Sequence, residues 1–172
     1  MEEKKQVNPL IAGVFISLFI IVISTAMSII AKTDPVGGWI SYLIIIIGLV
    51  FFINRYGDAR NNQVTFGELF SYGFKATTMI VLIFVLFLFI LSFVTPEMKQ
   101  KVLEATQLEL EKQKNISDDQ IKTMTDGINK YFWVVLIGTT MFLFVLIGCI
   151  GSLLGAAITK KQPKNPFEQI SS

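Results

Sequence analysis

The stretch LIAGVFISLFIIVISTAMSIIA, residues 10–31, runs for 22 residues without a charged side chain. An α-helix rises about 1.5 Å per residue, so about 20 residues cross the ~30 Å hydrocarbon core of a bilayer. This stretch is long enough to do so. It exceeds the ~7–15 residues of a secretory signal core, and the segment before it, Glu2-Glu3-Lys4-Lys5, is neutral rather than basic. The expectation is an uncleaved first membrane span.

Three more apolar stretches follow, at 39–53, 74–94 and 131–159. Lipid offers no partner to an open backbone, so each is expected to be helical. That argument covers even Ile44, Ile45, Ile46 and Ile47, which in a soluble protein would read as a buried strand. The second stretch is short, and bending or snorkelling at Gly37, Gly38 and Arg55 would make up its length. The fold class expected is all-α: an integral membrane four-helix bundle within 1–159, followed by a disordered tail at 160–172.

Composition agrees with this reading. Apolar residues make up 52% and charged residues 16%, against roughly 25% charge in soluble domains. A net charge of +2 gives no basis for a nucleic-acid partner. The single cysteine, Cys149, lies in an apolar run and reads as a small hydrophobe rather than a reactive thiol. Without histidine, the chain lacks the usual general base and the commonest metal ligand, so no cofactor or metal is expected.

The connections carry local signals. Thr-Asp-Pro followed by Gly-Gly at 33–38 reads as a tight turn between the first two spans. Thr65 and Glu68 have capping-box spacing, flanked by Val64 and Leu69 as a hydrophobic staple. A helix is therefore expected to start at Phe66, run along the interface and feed the third span. The charged connection 95–130 is the largest polar piece. Thr95-Pro96-Glu97 is a helix start, and Ser117 and Gln120 form a second capping box with Ile116 and Ile121 as staple. Pairs four apart, Glu97/Lys101, Asp118/Lys122 and Asp126/Lys130, would support both helices. The expectation is a small two-helix extramembrane insertion between spans three and four, against the alternative of a solvated charged loop.

Helices in lipid pack where small residues let backbones approach. Span four carries Gly148, Gly151, Ser152 and Gly155; span one carries Gly13 and Ser17. The expectation is an antiparallel contact between spans one and four. The rival is a homo-oligomer formed through the glycine face.

No Asp, Glu, Lys or Arg lies within 10–31, 39–53, 76–94 or 131–159. An ion-coupled transporter would be expected to place a charge there. The nearest are Glu68 and Lys75, seven residues apart and so on one helix face. They read as a gate or anionic-ligand site, or more plainly as a helix cap and a lysine reaching lipid headgroups. No serine, threonine or cysteine has a nearby base in the pattern that nucleophilic catalysis needs.

The segment VTFGELFSYGFK at 64–75 resembles the motif before the third span in a family of small bacterial membrane proteins, domain of unknown function 4199. The matching positions are Val64, Thr65, Phe66, Gly67, Phe70, Gly73 and Phe74, with Glu68 and Lys75 in the same segment. The four spans, the charged third connection and Lys160-Lys161 fit as well. The resemblance implies a bacterial cytoplasmic membrane location and carries no activity. Four spans put both termini on one side. With the termini cytoplasmic, eight Lys or Arg fall inside and seven outside, a slight bias that includes both arginines inside.

These readings lead to a non-enzymatic accessory protein that recognises a partner through 95–130. The alternative is an oligomeric channel or transporter.

Overall fold

The computed structural model describes residues 7–30, 36–94, 97–113 and 116–162. These form six helices: α1 (Pro9–Ile30), α2 (Val36–Ala59), α3 (Phe66–Val94), α4 (Met98–Glu111), α5 (Asp118–Lys130) and α6 (Phe132–Ile158). Four of them, α1, α2, α3 and α6, are long and apolar enough to cross a membrane; α4 and α5 are shorter and polar.

The helix ends follow local chemistry. Asn8 caps α1, its Oδ1 accepting from the Leu10 amide at 2.9 Å, and Pro9 takes the first helical position, where no amide is needed. The second helix is longer than its apolar run. It starts at Val36, so Gly37 and Gly38 belong to its first turn rather than to a loop, and it continues past Ile53 through Arg55 and Asp58. Residues 31–35 of the expected turn lie outside the described residues. The stop comes at Asn61 and Asn62, whose φ values of 53° and 61° are left-handed, a conformation asparagine tolerates. The Asn62 amide returns to the Gly57 carbonyl at 2.8 Å.

The third helix starts at Phe66, as expected. It runs as one helix from Phe66 to Val94. Gly73 is a notch: a Cβ there would lie 2.5 Å from the Ser152 hydroxyl and 2.7 Å from Ile53 Cδ1.

The chain divides into two compact units, one holding the described residues up to Phe84 with those from Leu143 onward, the other Val85–Phe142. In the first unit, parts of all four long helices close around small residues. Gly48 of α2 admits Ile16 of α1, and the hydroxyls of Ser24 and Ser41 meet at 3.2 Å. A Cβ at Gly13 of α1 would lie 2.6 Å from the Ala76 carbonyl oxygen of α3. Gly151 and Gly155 of α6 face Leu49 and Ile53 of α2, and Gly148 faces Thr77 of α3.

The glycines expected to join the first and fourth spans have their nearest neighbours on α2 and α3. α2 and α3 meet each other at Gly73 and Ile53 and at the rings of Tyr56 and Tyr72, whose centroids lie 4.4 Å apart. The nearest neighbours of Gly13 come from α3, and those of Gly151 and Gly155 from α2. The same packing buries Gly148, Gly151 and Gly155 within the chain.

Buried hydroxyls satisfy themselves locally. Ser17, Thr77, Ser152 and Thr159 donate to the carbonyls of Gly13, Gly73, Gly148 and Gly155, at 2.7–3.0 Å. A hydroxyl four residues past a carbonyl removes the need for a partner on another helix.

In the second unit, α4 and α5 pack as a hairpin. Ser117 caps α5 through the reciprocal box: its hydroxyl accepts from the Gln120 amide, and Gln120 Oε1 accepts from the Ser117 amide at 3.1 Å. Ile121, the expected staple residue, is buried. Thr95 and Pro96 lie outside the described residues; Glu97 precedes α4 and pairs with Lys101 at 3.7 Å.

Candidate functional site

Two places gather polar side chains. The first is at the start of α3. Thr65 and Glu68 form the expected box: the Thr65 amide donates to Glu68 Oε2 at 2.7 Å, and the Glu68 amide to Thr65 Oγ1 at 3.2 Å. Val64 and Leu69 are both buried beside it. Phe66 begins a ladder of stacked rings with Phe70 and Phe74.

A pocket of about 630 Å³ opens next to this cap, between the entry to α1, the end of α2 and the first turns of α3. Its polar lining includes Arg60, Glu68, Ser71, Tyr72 and Lys75. Arg60 lies with its guanidinium carbon 5.1 Å from the Tyr56 ring centre. The Tyr72 hydroxyl donates to the Val7 carbonyl at 3.0 Å, tying the entry of α1 to α3. Gly67 also lines this pocket, and a Cβ there would meet nothing within 4 Å. The entry-motif residues thus divide their work. Thr65 and Glu68 cap, Gly73 packs, and Gly67, Glu68 and Lys75 face the pocket.

The end of α6 meets the α2–α3 connection close by. A Cβ at Gly57 would lie 2.5 Å from Thr159 Cγ2, and the Gln162 amide donates to the Asn62 carbonyl at 2.8 Å. Lys161 turns back to donate to the Ala156 and Thr159 carbonyls at 2.6 and 3.1 Å, and its ammonium lies 5.8 Å from the Phe66 ring centre. A cation at a helix C-terminus satisfies carbonyls that have no partner in the helix. Of the tail expected to be disordered, only 160–162 lie within the described residues.

The second place is a groove of about 450 Å³ between α4 and α5, lined by residues that include Glu111, Asp118, Ile121, Lys122 and Asp126. Thr125 lines it as well, and its Oγ1 is buried without a partner. Leu108 and Met124 stand 57% and 48% exposed on the same two helices. Among the described residues, no group of three or more His, Cys, Asp or Glu side chains is placed to hold a metal ion.

Sequence reasoning paired Glu68 with Lys75 but missed that Arg60, Tyr56 and Tyr72 share their pocket. The signal available in the sequence was a tyrosine on each side of the Arg60 turn, Tyr56 and Tyr72.

Four apolar helices of spanning length with two short polar helices between the third and fourth define a small multi-pass membrane protein. The chain belongs to the family described as "Protein of unknown function (DUF4199)", which it matches over residues 9–161. No curated protein and no solved structure matches it.

Proposed function

We propose that this chain is a non-enzymatic accessory protein of a bacterial cytoplasmic membrane, with both termini cytoplasmic, and that the α4–α5 hairpin outside the bilayer recognises a protein partner. The observation that carries this reading is the hairpin itself. Its second helix is capped by its own side chains, through the Ser117–Gln120 box, so the start of α5 does not depend on the bilayer. The hairpin offers a groove with three carboxylates against one lysine, and the same two helices expose Leu108 and Met124 elsewhere on their surface. A partner with a basic face and an apolar anchor would complement that surface.

The membrane segments support the same reading from the other side. Among the described residues, none from Ala76 to Val94 in α3, and none in α1 or α6, carries an Asp, Glu, Lys or Arg side chain. Such spans anchor a protein without supplying a proton relay or ion site. Deleting residues 99–126 should abolish recovery of the native partner from solubilised membranes while membrane insertion persists. Recovery undiminished by the deletion would refute the reading. Purified protein in liposomes should pass no more solute than empty liposomes, and reproducible flux would favour a channel instead.

A further inference from the structure

The pocket at the start of α3 is not needed by the accessory role. Its volume of about 630 Å³ falls within the ~300–1,000 Å³ typical of small-ligand sites. Two cations from different elements line it, Arg60 from the turn after α2 and Lys75 from α3. Among the described residues, neither has a carboxylate oxygen within 4.0 Å. The one carboxylate in the lining, Glu68, is engaged by the Thr65 amide.

Arg60 is also held in place. Tyr56 lies under its guanidinium, and Tyr72 packs against Tyr56 while its hydroxyl is anchored on Val7. A guanidinium fixed by a ring loses less freedom when it binds, and its fork matches the oxygens of phosphate. Lys75 supplies a second charge and Ser71 a hydroxyl donor.

We infer that this pocket binds a phosphate-bearing anion, clamped between the Arg60 guanidinium and the Lys75 ammonium. The source is either the headgroup of an anionic phospholipid or a soluble phosphate. Gly67 explains itself in the same terms. It packs against nothing, so its missing side chain serves to keep the pocket open.

The test uses the full chain purified in a neutral detergent. Binding of dioctanoyl phosphatidylglycerol, dioctanoyl phosphatidylcholine and inorganic phosphate is measured by native mass spectrometry and by the rise in thermal midpoint. One phosphatidylglycerol or phosphate should bind per chain, and phosphatidylcholine should bind far more weakly. Arg60→Gln and Lys75→Gln should each weaken binding about tenfold, the scale of one charge-assisted hydrogen bond. Arg60→Lys should recover part of the loss. Gly67→Leu should block binding while leaving the unliganded midpoint unchanged or higher, because a Cβ there meets nothing within 4 Å and leucine favours the helix. Tighter binding of phosphatidylglycerol than of phosphate assigns the site to lipid, and the reverse assigns it to a soluble ligand. Binding of neither, equal binding of phosphatidylcholine, or binding indifferent to all three blocking variants would overturn the proposal. Partner recovery through α4–α5 is a separate readout, so either proposal can fail alone.

Discussion

One helix, α6, passes through both compact units, and its glycines meet opposite surroundings. Gly148, in the first unit, has the Thr77 side chain where a Cβ would be; Gly138, in the second, has nothing within 4 Å. The units differ in the same way throughout. In Val85–Phe142 the buried residues among those described are Leu88, Ile121 and Phe132, whereas the first unit buries side chains from all four long helices. Apolar composition does not separate the two stretches, since both are rich in Leu, Ile, Val and Phe. What separates them is close approach at small residues. In lipid, association needs such approach, because apolar surface gains little by leaving lipid for protein. The first unit is closed around small residues, and in the second most described side chains of the hairpin and the apolar faces are exposed.

The sharpest way to break this comparison is a matched pair on α6. Gly148→Leu should lower stability by about 3 kcal/mol, because an added side chain in a packed contact forces its neighbours apart. Gly138→Leu should stay within about 0.5 kcal/mol of the native chain, as substitutions in open positions do. Thermal unfolding in detergent measures both, and equal losses would erase the distinction between the units. Next in size is the α5 cap. Ser117→Ala removes the hydroxyl that accepts from Gln120 and should cost the hairpin about 1 kcal/mol, read as roughly fivefold faster amide exchange in α5. Gly127→Ala should move the same exchange the other way by about 0.5–1 kcal/mol, since Gly127 sits in open space within α5. The smallest effect belongs to Glu97→Gln. Its pair with Lys101 is exposed, so α4 should lose about 0.3 kcal/mol, an effect that salt should mask.

Much of the local structure was legible in the sequence, for a physical reason. A capping box closes within four residues, so Thr65/Glu68 and Ser117/Gln120 could be read without knowing the fold. Helix partners could not. A glycine states that something approaches closely but not which helix does so, and Gly151 and Gly155 proved to face α2 rather than α1. The second helix was underestimated because hydropathy marks the apolar run, whereas the helix ends where Asn61 and Asn62 turn left-handed. The pocket was half legible. Glu68 and Lys75 share a face by spacing, but Arg60 joins them only because the α2–α3 turn folds beside α3. The role of Lys161 was not legible either, because its charge is directed to the carbonyls ending α6.

The central claim is that recognition belongs to the polar hairpin rather than to the lipid-exposed faces of the spans. The most direct measurement is photo-crosslinking in native membranes, with a reactive residue placed at Met124 of α5 or at Val22 of α1, both exposed side chains. A discrete protein adduct from position 124, with only lipid adducts from position 22, is the result expected. Protein adducts from position 22 with none from position 124 would contradict the account.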